Sequence, residues 1–176
     1  MDKVTSMYVP AEDTQLLAAC VGSYRGRWAL EIGVGSGAVA QALARNFDVV
    51  AGSDIDLDSL KYCKSLDDGI MLACCDAASA FRCKFDLIVS NPPYLPDDAA
   101  MDATVHGGPR GIETTVHFIK SALPLLADGG RMLVVVSSLS DQSELDKLVQ
   151  VRELEKRIVK EKAFFYERLS VVELTF

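Results

Sequence analysis

The stretch Ser90 to Pro96 reads S-N-P-P-Y-L-P and follows an apolar run, 85–89, that is typical of a buried strand. Two consecutive prolines fix the backbone and remove two hydrogen-bond donors, so the Asn91 side chain and the Pro92 carbonyl can be held as paired acceptors. A planar N–H2 group needs such a pair. The alternative is a strand terminator, because an Asn-Pro dipeptide also marks turns.

The chemistry that these residues favour is transfer to a planar nitrogen. The nitrogen of a carboxamide or of adenine is a poor nucleophile, because its lone pair is delocalised. Two acceptors can orient that lone pair and stabilise the positive charge that builds up on the nitrogen during transfer. Tyr94 would stack on the planar group and exclude water, and Pro93 would keep the loop rigid. No strong general base is needed, which agrees with the absence of a histidine beside the motif in the sequence.

A glycine-rich loop follows the first apolar strand. Glu31, Gly33, Gly35 and Gly37 alternate with other residues, where glycines let the backbone turn and approach a ligand at a helix N-terminus. The loop also satisfies the dinucleotide fingerprint G-x-G-x-x-A, with Asp54 at the distance of a ribose-binding acid. A nicotinamide enzyme therefore stays open, as does a tight turn that binds nothing.

Acidic residues close three successive strands. Glu31 suits a positively charged amino-acid group, Asp54 could accept both ribose hydroxyls, and Asp76 could accept from an adenine amino group. Each acid alone could be a helix cap, as could Asp56 or Asp58 after the second strand. Together they predict a negative crevice at the carboxyl edge of a sheet, which favours the sulfonium cofactor S-adenosylmethionine over a dinucleotide.

The elements that must position these residues alternate along the chain. Apolar runs predict five strands, at 28–32, 49–53, 70–74, 85–90 and 131–136. Helical periodicity predicts helices at 38–46, 57–66, 112–126 and 140–151. The tail predicts two adjacent strands, 157–166 and 168–176, joined by a turn too short for anything but an antiparallel pair. We expect an α/β fold: one domain over 1–176, with a doubly wound, mostly parallel seven-stranded sheet that ends in an antiparallel hairpin.

Composition narrows the class of protein. The 176 residues carry a formal net charge of −7, which disfavours a nucleic acid as the main partner. Five cysteines without a C-x-x-C pair, and two histidines without ligand spacing, predict a reducing compartment and no metal site. No signal peptide or membrane-spanning run is visible, so we expect a cytoplasmic protein with no membrane partner.

The motifs together resemble those of class I S-adenosylmethionine-dependent methyltransferases that modify planar nitrogens. Residues 8–14, Y-V-P-A-E-D-T, resemble the N-terminal signature of the short HemK-like proteins, the archaeal and eukaryotic enzymes that methylate the Gly-Gly-Gln glutamine of translation release factors. Residues 136–139, V-S-S-L, resemble the same group. The resemblance spans nearly the whole chain, which has no room for the extra N-terminal helical domain of the bacterial relatives.

The resemblance implies a role for each matching residue. Glu31 would hold the amino-acid end of the cofactor, and Gly33 would approach its backbone. Asp54 would bind the ribose. Further cofactor contacts would come from Thr14, Gly35, Gly37, Asp76, Ala77 and Asn91. The substrate glutamine would be presented by Asn91, Pro92, Pro93 and Tyr94, of which Asn91, Pro92 and Tyr94 are the expected catalytic residues.

The resemblance also implies a partner and leaves alternatives. In the short group a small zinc-binding activator typically adds to the sheet edge at the third strand, unless a helix of the same chain covers that edge.

Arg110 departs from the family, because an acid is common at its position in the glycine-rich loop 107–111, and this leaves substrate docking on that side open. DNA adenine N6-methylation, a nicotinamide enzyme and an inactive binding module are the rival functions.

Overall fold

The computed structural model describes residues 11–97, 102 and 104–176, so the first three residues of the Y-V-P-A-E-D-T segment, 8–10, lie outside the described residues. Five helices are described: α1 Glu12–Val21, α2 Ala38–Leu43, α3 Leu57–Leu66, α4 Glu113–Ala122 and α5 Ser143–Val151. Seven strands are described: β1 Gly26–Ile32, β2 Phe47–Asp54, β3 Met71–Cys74, β4 Phe85–Ser90, β5 Leu126–Ser137, β6 Glu155–Ala163 and β7 Arg168–Thr175. In these parts of the chain, no helix has the length and apolar character needed to cross a membrane.

The seven strands form one mixed sheet in the order β3-β2-β1-β4-β5-β7-β6. Strands β1 to β5 are parallel, whereas β7 runs antiparallel to both β5 and β6. The predicted fold class is therefore confirmed. The order reverses between β1 and β4, and this reversal creates a crevice at the carboxyl edge, where open α/β sheets bind ligands. There Ile32 pairs with Ser53 on one side and Ser90 on the other.

The sheet is covered on both faces because its side chains alternate. Ile32, Ile88 and Val134 pack towards α4 and α5, in one apolar cluster. Val89 and Val135, one residue out of phase, pack with α1, α2 and α3 in the other cluster. This period of two is the strand geometry that a sheet buried on both faces requires.

Several element boundaries differ from the prediction. Helix α4 ends at Ala122 and passes into a 3₁₀ turn at Leu123–Leu125, because Pro124 cannot continue the α-helical hydrogen bonds. Strand β5 then begins at Leu126, which pairs with Phe85. The aromatic residues 164–166, predicted as strand, form the turn of the β6–β7 hairpin instead. Helix α1 was not predicted.

Candidate active site

A cavity of about 920 Å³ lies at the carboxyl ends of β1, β2, β3 and β4, at the point where the strand order reverses. It brings together nearly all the residues that the sequence singled out: Thr14, Glu31, Gly33, Gly35, Asp54, Asp76, Ala77, Asn91, Pro92, Pro93 and Tyr94. Gly37 is not among the lining residues. A Cβ added to Gly37 would lie 2.7 Å from Cys63 Sγ, so this glycine allows α2 and α3 to approach each other.

The glycine-rich loop after β1 is fixed by its backbone conformation and by hydrogen bonds from its backbone amides. Gly33 and Gly35 have φ of 77° and 45°, values that favour glycine. The Gly33 and Val34 amides donate to the Ser53 carbonyl at 2.8 and 3.0 Å, and the Gly35 amide donates to Asp54 Oδ2 at 3.0 Å. These bonds fix the loop against the end of β2.

Glu31 is a buried carboxyl group at the end of β1, with 2% of its surface exposed. Desolvation raises its pKa well above the usual value, and the Asp54 charge raises it further, although a backbone hydrogen bond at Ala40 opposes the rise. Oε2 of Glu31 is buried and has no hydrogen-bond partner. A buried carboxyl group with one unpaired oxygen fits a cationic ligand group, because a cation would offset the cost of burial.

Asp54, at the end of β2, and Asp56, which follows it, have different roles: Asp54 binds the glycine-rich loop and Asp56 caps a helix. Asp54 accepts from Gly35 N through Oδ2 and from Asp56 N through Oδ1, at 3.0 and 2.9 Å. Asp56 is the N-cap of α3 and accepts from the Asp58 and Ser59 amides. The cap predicted at Asp56 or Asp58 is therefore Asp56. Asp54 lines the cavity and, since each of its oxygens accepts one backbone N–H, retains lone pairs for a ligand.

Asp76, after β3, faces a residue that the sequence did not single out as functional. His117 of α4 lies with Nε2 2.8 Å from Asp76 Oδ1, and both side chains are more than half exposed. Thr114 and Phe118 of the same helix also line the cavity, since positions three and four residues apart share one helix face. Helix α4 thus forms the cavity wall opposite the end of β3.

The Asn91 to Tyr94 segment leaves β4 beside β1. The Ser90 hydroxyl donates to the Ile32 carbonyl at 2.8 Å and joins the ends of these two strands. Oδ1 of Asn91 is buried and has no hydrogen-bond partner. The Tyr94 hydroxyl donates to Asp13 Oδ2 at 3.0 Å, so the ring is tied to the start of α1. Asp13 lay inside the quoted N-terminal motif but was not predicted as a site residue.

The glycine-rich loop 107–111 supports this segment from behind. A Cβ added to Gly107 would lie 2.3 Å from the Pro93 carbonyl oxygen, and one added to Gly111 would lie 2.4 Å from that of Tyr94. Only glycine permits such a close approach. Arg110 pairs with Glu113 at 3.1 Å and with Glu144, so its side chain fastens the loop to α4 and α5.

His106 lies 13 residues after Pro93 and so is not beside the motif in the sequence, but it lines the same cavity. It forms an isolated β-bridge with Leu95. The Val105 carbonyl accepts from the Tyr94 and Leu95 amides at 3.1 and 2.9 Å, and this pairing brings the histidine to the cavity. No spacing rule predicts such a long-range backbone pairing.

The chemistry of the cavity fits S-adenosylmethionine and a planar N–H2 group. Glu31 and Asn91 both line the cavity, and each has a buried acceptor oxygen without a hydrogen-bond partner, which matches a cationic ligand and an amide donor. Within the described residues, no group of three or more His, Cys, Asp or Glu side chains could hold a metal ion. The fold and the cavity are those of a class I methyltransferase.

Comparison with known proteins identifies the family. The family model of the methyltransferase small domain matches residues 6–165, and the chain belongs to that family. This membership decides against the nicotinamide alternative. A protein of Methanocaldococcus jannaschii that carries the name N5-glutamine methyltransferase is 33% identical over 149 residues, covering 78% of this chain and 76% of the relative. The release factor glutamine methyltransferase of Prochlorococcus marinus is 30% identical over 170 residues, covering 80% of this chain and 57% of the relative.

Solved structures share the fold. The E. cuniculi Mtq2–Trm112 complex, responsible for methylation of the eRF1 translation termination factor, superposes with a TM-score of 0.79 at 22% identity, covering 95% of this chain and 96% of that one. The chain spans only 41% to 57% of the length of three bacterial release factor glutamine methyltransferases that it resembles.

Proposed function

We propose that this chain transfers a methyl group from S-adenosylmethionine to the side-chain amide nitrogen of a glutamine in a translation release factor. The observation that carries the proposal is the unpaired, buried Asn91 Oδ1 in the same cavity as the unpaired, buried Glu31 Oε2. The names of the relatives support the glutamine and the release factor as substrate.

The carboxyl edge of β1 and β2 holds the cofactor, which when bound supplies an electrophilic methyl group on a sulfonium. Glu31 pairs with the cationic amino group of its methionine part, and Asp54 accepts from the ribose hydroxyls. Gly33 and Gly35 leave room for it beside the loop. Thr14, Asp76 and Ala77 complete the cofactor side. This assignment is supported by the position of these residues around one cavity.

The segment after β4 holds the substrate amide. Asn91 Oδ1 and the Pro92 carbonyl accept from the two amide hydrogens, which orients the nitrogen lone pair and stabilises the charge that develops on nitrogen. Pro93 and the loop 107–111 keep these acceptors in place. Tyr94 covers the amide and excludes water. After transfer the methylated nitrogen is positively charged and acidic, so it passes its proton to bulk water as the product leaves, and no strong base is needed.

A small zinc-binding subunit covers the β3 edge in this proposal. Among the described residues, β3 pairs only with β2. Exposed apolar side chains are present on β3, α3 and the loop before α3: Ile55, Leu57, Tyr62, Leu66 and Met71. Exposed apolar side chains on and near an edge strand are suited to strand addition by another chain. The solved E. cuniculi structure is a complex with a second protein, which supports the existence of a partner subunit.

The proposal also covers the domain organisation of the chain and its location in the cell. We take 1–176 as one methyltransferase domain that works in the cytoplasm, where release factors act. The free state of all five cysteines is consistent with a reducing compartment.

The test is a methyl-transfer assay with labelled S-adenosylmethionine and recombinant release factor. The matched control is the same factor with its Gly-Gly-Gln motif changed to Gly-Gly-Ala. We expect label on the parent factor and none on the variant, with and without the zinc-binding subunit as separate arms. Equal labelling of both factors would overturn the glutamine assignment.

A further inference from the structure

Two aromatic side chains stand in solvent at the turn between β6 and β7, which we call the hairpin tip (residues 164–167). Phe165 is 90% exposed and Tyr166 is 84% exposed. Their rings contact each other edge to face, with centroids 4.6 Å apart. Adjacent large aromatic side chains with this exposure bury almost no area within the chain, which is unfavourable unless another molecule covers them.

The backbone beneath these rings is well anchored. The Phe164 amide donates to the Glu167 carbonyl at 2.6 Å and closes the turn. The Glu167 carboxylate accepts from the Ser137 hydroxyl at 2.6 Å. Phe164 packs inward on the apolar cluster of α1 to α3, with Lys162 Nζ 5.3 Å from its ring centre. The tip therefore presents Phe165 and Tyr166 on a fixed support, which lowers the entropic cost of binding.

The hairpin tip lies at the carboxyl ends of the parallel strands, as the cavity does. Ser137, at the carboxyl end of β5, pairs with Leu169, and Ala163 pairs with Arg168 at the end of the hairpin. Strands β7 and β6 are two and three positions from β4, which places the tip ~10–14 Å from the segment that follows β4.

A chain of contacts joins the tip to the cavity. Lys162, next to the tip, pairs with Glu12 at the start of α1. The adjacent residue, Asp13, accepts from Tyr94, which lines the cavity. These contacts connect the hairpin tip to a side chain that lines the cavity.

We propose that Phe165 and Tyr166 are a docking anchor for the body of the protein substrate whose glutamine enters the cavity. The inference rests on the proposed function. One partner of an ordinary interface covers about 800 Å², a patch roughly 30 Å across, so a protein seated over the cavity mouth also reaches the tip. Exposed aromatic residues are the anchors that such interfaces favour. Strand β3 and the β6–β7 hairpin are at opposite ends of the strand order, so a subunit bound at β3 leaves the tip uncovered.

The experiment compares the double variant Phe165→Ala/Tyr166→Ala with the parent chain, in the complex in which the parent is active. Two substrates separate docking from chemistry: the full-length release factor and a five-residue peptide centred on its glutamine, which extends only ~7 Å on either side. The matched control is Phe176→Ala. Phe176 is also exposed, at 71%, but it follows the end of β7, at the strand ends opposite the cavity.

We expect the double variant to raise KM for the full-length factor about tenfold or more, with kcat, KM for the peptide and cofactor affinity unchanged. Phe176→Ala should leave every constant unchanged. An unchanged KM for the full-length factor would overturn the docking proposal while leaving the proposed function intact. A parent chain that is a dimer, and becomes a monomer in the double variant, would assign the tip to a second copy and also overturn it. A parent that labels neither substrate would refute the proposed function, and the docking proposal with it.

Discussion

The hydroxyl of Tyr94 donates a hydrogen bond to Oδ2 of Asp13 across 3.0 Å, and this bond joins two segments 81 residues apart. Asp13 is only 3% exposed, so its carboxylate depends on protein donors. Its other oxygen, Oδ1, accepts from the Thr14 amide at 2.7 Å. The start of α1 and the segment after β4 are therefore held as one unit around the cavity.

Replacing Tyr94 with Phe removes that donor and leaves the Asp13 oxygen buried with one bond fewer. We expect the free energy of unfolding to fall by about 1–3 kcal/mol, and turnover to fall more than cofactor affinity. Urea denaturation and steady-state kinetics measure the two effects. Tyr62→Phe is the matched control, because Tyr62 is 42% exposed on α3 and should tolerate the loss of its hydroxyl. Equal effects of the two substitutions would contradict this role for Tyr94.

Asn91→Ala tests the substrate side of the cavity. Removal of one acceptor that stabilises developing charge should lower kcat by about 100-fold or more, because such groups contribute mainly in the transition state. Cofactor affinity, measured by calorimetric titration, should stay close to that of the parent chain. Asn46→Ala is the control and should retain activity, because Asn46 directly precedes β2 and lies at the strand ends opposite the cavity. A comparable loss of cofactor affinity in Asn91→Ala would show that this residue acts mainly on the cofactor.

Glu31→Gln keeps the shape of the side chain and removes its charge. The hydrogen bond to a cationic group is expected to contribute about 1.5–3 kcal/mol, so affinity for S-adenosylmethionine should fall by roughly tenfold or more. At a pH below the raised pKa of Glu31, where the carboxyl of the ligand-free parent chain is protonated, cofactor binding should release a proton. Calorimetry in buffers of different ionisation enthalpy detects that release, and the Gln variant should lack it.

The same residue predicts a pH dependence of stability for the ligand-free chain. Because the pKa of Glu31 is higher in the folded state than its ordinary value of 4.5, the folded state binds the proton more tightly. The stabilisation is complete below pH 4.5 and is lost as pH rises through the raised pKa. Urea denaturation over a pH series should show this loss in the parent and a smaller one in Glu31→Gln. Parallel curves for the two proteins would refute the raised pKa.

Gly107→Ala tests the support behind the prolines. A Cβ at this position would lie 2.3 Å from the Pro93 carbonyl oxygen, so one backbone segment must move. We expect a loss of about 1–3 kcal/mol in stability and a fall in turnover, with cofactor affinity retained. Gly22→Ala is the control, because its Cβ would meet only an ordinary contact at 3.6 Å. If Gly107→Ala were as active as Gly22→Ala, the loop would not position the substrate segment.

The sheet could be predicted because its signal is local. Apolar runs of strand length mark β1 to β5, and the polar-apolar alternation marks β7. Helix α1 has a weaker amphipathic pattern, and it is buried by packing against elements distant in the sequence. The hairpin was predicted, but its first strand ends at Ala163 and not at residue 166, so the turn covers 164–167. Phe164, Phe165 and Tyr166 have high strand propensity, but the pairing of Ala163 with Arg168 places them in the turn.

The cavity could be predicted where its residues follow strand ends, since parallel strands bring those ends to one edge. Asp13, His106 and His117 were missed because other contacts bring them there. His106 arrives through the backbone pairing of Leu95, and His117 through the packing of α4 against the sheet. Arg110, whose role the sequence left open, pairs within the chain, and its ion pair with Glu144 depends on α5, which begins 33 residues further on.

Among the residues that the structure describes, β3 and β6 are the two outermost strands of the sheet, six strand spacings or ~29 Å apart. A subunit added at β3 and a substrate docked near β6 would then occupy separate surfaces, so neither would displace the other. We expect a random-order ternary complex in which the subunit acts by mass action on the folded fraction of the enzyme. Titration of the subunit should raise the concentration of active enzyme while the KM for the substrate stays constant.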